Sequence, residues 1–139
     1  MRVVLDTNIL VSGLMSLTSP PARILDAVRT GQIVAVMSAV TLAELADVLS
    51  RPAVSRYFRH SAITPEAFLA DLRLHADLMI PVPTNIPIRD ERDRPFLDLL
   101  ATIPSPQYFV TGDRDFDATH YGRVPVISAT EFAGLLRRR

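Results

Sequence analysis

The chain has 139 residues, 48% of them hydrophobic and 22% charged, and its fifteen basic side chains balance fifteen acidic ones. That length suits one domain over residues 1–139, burying roughly two-thirds of its unfolded surface, so intrinsic disorder is excluded. Cysteine is absent and all fifteen basic residues are arginine, which excludes disulfide scaffolds, thiolate zinc sites, cysteine nucleophiles and the lysine of a Walker-type NTPase.

The chain opens Met1-Arg2-Val3-Val4-Leu5-Asp6, a strand over residues 2–5 with an acid too early for a signal peptide's apolar region. Ser19 before Pro20 and Pro21 starts a helix in which Ile24, Leu25 and Val28 recur at helical spacing. After a strand over 33–37, Ser38 caps a helix carrying Leu42, Leu45, Ala46 and Leu49, which Pro52 ends. Thr64-Pro65-Glu66 opens another, with Phe68, Leu69, Leu72 and Ala76 on its apolar face. A strand over 78–82 follows, Pro95 marks the first turn of a further helix, and strands cover 108–110 and 124–127. The capping box Ser128-Ala129-Thr130-Glu131 then precedes Phe132, Leu135 and Leu136, and Arg137, Arg138 and Arg139 suit a helix C-terminus.

The strands are continuously apolar rather than alternating, as in a parallel sheet covered on both faces. The β-α alternation implies a three-layer α/β/α sandwich with a central parallel β-sheet and right-handed crossovers. Sites in such sheets gather at the carboxyl ends of the strands. The longest nearly apolar stretch, 33–43, is far short of the roughly twenty residues a bilayer span needs. A soluble, cytoplasmic protein with no membrane partner is expected.

The acids are unevenly placed. Seven of the fifteen fall between Asp90 and Asp117, opposed there only by Arg92, Arg94 and Arg114. Such a local negative cluster wants cations, either metal ions or a basic partner. Asp6 ends the first strand between apolar runs, so it must hydrogen-bond, cap a turn or bind something. Asp113 repeats the arrangement in Thr111-Gly112-Asp113, where turn chemistry is the plain alternative. Glu44 reads equally as an exposed helical glutamate, and Asp93 as a helix N-cap. Asp98, one turn into that helix, is expected to face solvent.

Together these residues carry a resemblance. Val3-Val4-Leu5-Asp6-Thr7-Asn8-Ile9-Leu10 resembles the opening motif of PIN-domain ribonucleases, the family of VapC-type toxins. Thr41-Leu42-Ala43-Glu44-Leu45 resembles that family's helical glutamate motif, Asp90-Glu91-Arg92-Asp93 before Phe96-Leu97 its third acidic motif, and Val110-Thr111-Gly112-Asp113-Arg114-Asp115-Phe116 its fourth. The four occur in family order. The resemblance implies a metal site of Asp6, Glu44, Asp93 and Asp113, with Asp115 as an extra ligand. It implies that Thr111 orients a carboxylate or bound water and that Asn8 holds the first loop in shape. The third motif offers Asp90, Glu91 and Asp93; Asp93 aligns best against Phe96-Leu97.

Carboxylate ligands suit hard Mg²⁺ or Mn²⁺. The resemblance further implies an endoribonuclease that leaves a 5′-phosphate on RNA, a homodimer, and inhibition by a cognate antitoxin inserting a basic residue into the acidic site. Arg92, Arg94 and Arg114 either hold the RNA backbone or neutralise their acidic neighbours. Alternatives are an RNA-processing nuclease outside any toxin–antitoxin pair and a catalytically silent binding module. A haloacid-dehalogenase-like phosphatase needs a second acid where Asn8 stands, and a response-regulator receiver needs a lysine. Acid–base cleavage by histidine needs paired imidazoles, whereas His60, His75 and His120 share no pattern and read as surface residues.

Overall fold

Six strands form one sheet in the order β3-β2-β1-β4-β6-β5: β1 (Arg2–Leu5), β2 (Val34–Met37), β3 (Asp77–Leu78), β4 (Tyr108–Val110), β5 (His120–Tyr121) and β6 (Val124–Ile127). The computed structural model describes residues 1–58 and 63–138, so His60 and Arg139 lie outside the described residues. All neighbouring strands run parallel except β5, which pairs antiparallel with β6. The sheet is therefore mostly rather than wholly parallel, and β5 is an addition that its short polar sequence did not announce.

The central strands β1, β2 and β4 are covered on both faces, and because successive side chains point opposite ways they feed two cores. Val3, Leu5, Ala35, Met37 and Val110 enter one core, while Val4, Val36, Phe109 and Val124 enter the other. The first core lies under helices α1 (Thr7–Leu14), α2 (Pro20–Arg29), α3 (Ala39–Ser50), α5 (Pro65–His75) and α7 (Ala129–Arg137). The second is filled by α6 (Arg94–Leu100), whose Phe96, Leu97, Leu99 and Leu100 are all buried, together with Phe116. A short helix, α4 (Pro52–Ser55), follows α3 at the proline expected to end it. The result is the expected three-layer α/β/α arrangement.

The expected caps form, except that the Ser128 capping box is not reciprocal, since Glu131 Oε1 accepts from the Ser128 hydroxyl and not from its backbone N–H. Ser19, Ser38, Thr64 and Ser128 each accept a hydrogen bond from a backbone N–H of the following first turn. Two expectations change. The strand expected over 78–82 pairs only through Val36 opposite Asp77 and Met37 opposite Leu78. Beyond it, Pro81 and Pro83 offer no N–H to a ladder, and Ile80 and Val82 are exposed at the sheet edge. Asp98 is not turned to solvent: its Oδ1 accepts from the backbone N–H and the hydroxyl of Thr84, at 2.9 and 3.0 Å. That pins the extended segment before the acidic cluster onto α6.

Register positions the strand ends. Leu5 lies opposite Val110, and Val110 opposite Ile127, so Asp6 and Thr111 leave the sheet side by side. The chain does not loop after Asp6 but enters α1 at Thr7. That helix packs closely on α2: a methyl group on Gly13 would stand 2.7 Å from both the Pro21 carbonyl oxygen and Leu25 Cδ1. On an exposed helix Gly→Ala would gain about 1 kcal/mol, but overpacking a fixed backbone costs roughly 1–3 kcal/mol. Gly13→Ala should therefore lower the denaturant midpoint; a raised midpoint would show that the α1–α2 contact yields.

Candidate functional site

Asp6 is buried at the end of β1, and the position it holds before α1 is that of an N-cap, yet its side chain caps nothing. Instead Oδ2 accepts from the buried Thr111 hydroxyl at 2.7 Å. Thr111 Oγ1 in turn accepts from the Asp113 N–H at 3.0 Å, and Asp113 Oδ1 accepts from the Asp115 N–H at 2.9 Å. One hydrogen-bonded chain thus links the ends of β1 and β4. The turn role of Asp113 is real, and it coexists with a carboxylate that faces Asp6 closely enough to raise its pKa.

Glu44 is half-buried rather than solvated. α3 turns it toward the start of α1, where its Oε2 accepts from the Thr7 hydroxyl at 3.0 Å. Thr7 was not singled out in the sequence, although a hydroxyl beside a strand-end aspartate is the signal that would have found it. Asn8 lines the mouth of the same cleft and is exposed; it makes no hydrogen bond among the described residues, and the tie to α3 is made by Thr7.

The third acidic motif divides its work. Asp90 begins a 3₁₀ turn over Glu91–Asp93, its Oδ1 accepting from the Arg92 N–H at 3.0 Å. The Arg92 guanidinium also grips both Asp90 carboxylate oxygens, at 2.9–3.2 Å, and holds its pKa below the usual range. Asp93 stands before α6 but makes no capping bond. Burial, then the charges of Asp113, Asp90, Asp6 and Asp115, push its carboxyl up to about 6. Two aspartates three residues apart are thereby driven in opposite directions, one committed to an arginine and one left for the cleft. Asp6 is also raised, first by burial and then by Asp113 and Glu44 against the Thr111 hydrogen bond.

All five expected acids line one cleft of about 250 Å³, together with Asp90, Thr7, Asn8, Val48, Arg51 and Arg92. Within it Asp90, Asp93 and Asp115 each offer a carboxylate oxygen within 4.8 Å of the other two. Asp6, Glu44 and Asp113 share the cleft but not that tighter group, and Asp90 was not among the expected ligands. An all-carboxylate donor set fits a hard divalent cation, and the pKa of Asp93, raised first by burial and then by its acidic neighbours, marks a charge that a cation would stabilise.

The arginines differ in what holds them. Arg94 forks onto Glu91 at 2.6 and 2.8 Å and also donates to the Thr84 carbonyl, facing away from the cleft. Arg92 is bound to Asp90 yet highly exposed, and Arg114 is exposed with no ion pair or hydrogen bond among the described residues. Arg89, not singled out in the sequence, stands 3.7 Å from Asp115. Of the histidines, His75 bonds its own helix at the Asp71 carbonyl and His120 reaches only Thr119; neither lines the acidic cleft. No described helix is long and apolar enough to cross a membrane.

The PIN domain family profile matches residues 2–115, and the chain belongs to that family. PIN domains are generally nucleases and typically use divalent metals. Neither the curated proteins nor the solved structures compared gave a significant match.

The carboxylate repulsion has a measurable sign. Folded Asp93 holds its proton up to about pH 6 against an ordinary value of 3.8, so its ionisation withdraws stability as pH rises through that window. In EDTA, Asp93→Asn should melt at or above wild type at pH 7, the gap closing toward pH 4. Manganese at about a hundred times its dissociation constant should add roughly 2.7 kcal/mol to wild type and little to the mutant. A mutant melting well below wild type in EDTA would make Asp93 a structural cap.

Proposed function

We propose that this PIN-domain protein is a Mg²⁺- or Mn²⁺-dependent endoribonuclease and the toxin component of a toxin–antitoxin pair. The observation that carries the nuclease reading is the convergence of Asp6, Glu44, Asp93, Asp113 and Asp115 from four parts of the fold into one cleft. Among the described residues no histidine lines that cleft. The residues proposed to hold the cation are these five, with Asp90 as a neighbour whose carboxylate Arg92 already neutralises.

Asp6, Glu44, Asp93, Asp113 and Asp115 would hold a divalent cation, whose chemistry when bound would be positive charge beside the phosphate and a lowered pKa for coordinated water. The protein's part is to hold the carboxylates still. The Thr111 hydroxyl fixes Asp6, the Thr7 hydroxyl fixes Glu44, and the Asp113–Asp115 turn fixes the fourth motif. These bonds set the donors before substrate arrives, so little ordering remains for the reaction step. Arg92 lines the cleft and Arg114, next in the chain to Asp113, is exposed; we take both to hold the RNA backbone as it approaches the acidic site.

The toxin reading rests on the resemblance of the motifs to VapC-type sequences. An acidic cleft open to solvent suits capture of an arginine or lysine, which pairs with carboxylates through charge-assisted hydrogen bonds. We take the cognate antitoxin to insert such a residue, and the working unit to be a cytoplasmic homodimer of single-domain chains. Co-purification with the product of the neighbouring upstream gene tests the pairing. A complex whose cleft receives no basic side chain would refute the inserted-residue mode.

Magnesium or manganese should support cleavage of single-stranded RNA, and EDTA should abolish it. Asp6→Asn should lose at least a hundredfold in rate, on the order of one lost electrostatic stabiliser, with an unchanged far-UV spectrum. Asp93→Asn should lose far more than Asp90→Asn. Full cleavage in EDTA would refute the metal mechanism, and an essential Asp90 beside a dispensable Asp93 would reverse the assignment within the third motif.

A further inference from the structure

The acidic cleft adjoins a larger groove of about 740 Å³, with Asp115 lining both. One wall is the extended segment carrying Ile86, Ile88 and Arg89; the other is the chain from Asp115 through Asp117 to Tyr121. Both walls are anchored. Ile86, Ile88 and Tyr121 pack against the α6 core, and the Tyr121 ring stands edge to face with Phe116, centroids 6.3 Å apart. Tyr121 is held from the other side by pairing with Val124 across the β5–β6 hairpin. Gly122 closes that hairpin at a φ of 60°, a left-handed value glycine adopts without strain in a two-residue turn.

Size and chemistry narrow the occupant. The acidic cleft has room for ions and a phosphate, whereas the groove falls in the range of sites that enclose a whole small molecule. Ile86, Ile88 and the Tyr121 ring share the lining, which suits a flat apolar plate. Asp115 and Asp117 make the interior hostile to a second phosphate. Arg89, 69% exposed and only 3.7 Å from Asp115, guards the junction with the cleft, where a backbone phosphate would lie. Asp117 is an acceptor without a donor when ionised.

We propose that this groove receives the nucleobase next to the bond being cut and prefers a base bearing an exocyclic amino group (adenine, guanine or cytosine) to uracil. The base lies between Tyr121 and the isoleucines, its amino group donates to Asp117, and Arg89 exchanges Asp115 for the adjoining phosphate. Single-stranded RNA presents its bases unstacked and free to enter such a slot. The inference rests on the ribonuclease reading and adds to it a polarity and a base preference.

The test is steady-state cleavage, with Mn²⁺, of short oligoribonucleotides that differ only in the base on either side of the cut. Wild type should cleave the amino-bearing bases about tenfold faster than uracil at one flank, in kcat/KM, as expected for a lost base-edge contact. Asp117→Asn, an exposed change that leaves packing alone, should abolish that preference. Tyr121→Ala should raise KM about tenfold for every base, the scale of a lost stacking contact, with kcat little changed. Arg89→Gln should lower the salt dependence of log KM by about 0.7. Equal cleavage of all bases by wild type, or an unchanged preference in Asp117→Asn, would overturn the proposal while leaving the nuclease intact. If wild type cuts no RNA, the nuclease reading fails separately, and fluorescence anisotropy of the same oligonucleotides decides the groove. Binding that Tyr121→Ala weakens tenfold and Asp117→Asn makes base-blind would uphold it; absent or unaffected binding would refute it.

Discussion

A carboxylate buried at the end of a strand covered on both faces needs a donor, and Asp6 has one in the hydroxyl of Thr111. That bond exists because β1 and β4 are parallel neighbours in a register that puts Leu5 beside Val110. Slip the register by one residue and every strand side chain changes face, so the packing of two hydrophobic cores enforces the meeting of two polar side chains. Asp113 and Asp115 inherit their positions from the same bond. The cleft depends on the core for its geometry, and the core owes nothing to the cleft.

Bringing the acids together opposes folding, and the fold limits the damage by treating each carboxylate differently. Asp90 and Glu91 are matched to Arg92 and Arg94 at the surface, which lowers both pKa values. Asp6 and Asp93 are left raised, one by burial against a single hydroxyl and one by burial among like charges. Perturbed groups clustered in a cleft are the physical mark of a working site. Here the contrast between neighbours in one motif makes the mark sharper than an acidic cluster alone. A protein that needed only a stable turn would have paired Asp93 as it pairs Asp90.

Much of this was legible in the residues. Caps, proline stops and apolar spacing located α2, α3, α5 and α7, and the apolar runs located four of the six strands, because those signals act within a turn or two of the chain. The acids at strand ends were visible for the same reason. Three features were not. α1 was missed because its start follows Asp6 without a proline or serine cap; β5 because two polar residues carry no period; and the 78–82 strand was overdrawn because apolar residues beside prolines sit exposed at an edge. Thr7, Arg89 and the groove beyond Asp115 escaped notice since each gains meaning only from a partner dozens of residues away.

The sequence by itself determined most of the order of elements, the apolar central strands and the inventory of carboxylates, since composition and local spacing suffice for each. How Asp90, Glu91 and Asp93 are shared out was a tertiary decision: Asp90 and Asp93 both line the cleft, while Glu91 pairs with Arg94. All three sit in one short polar run, where the residues favour Asp93 only by its alignment with Phe96-Leu97. The 3₁₀ turn places Asp90 on the Arg92 N–H and guanidinium, and α6, sunk by Phe96 and Leu97 into the second core, aims Asp93 at the ends of β1 and β4. Charge and hydrogen-bonding capacity are properties of a residue, whereas direction belongs to the packed helix that carries it.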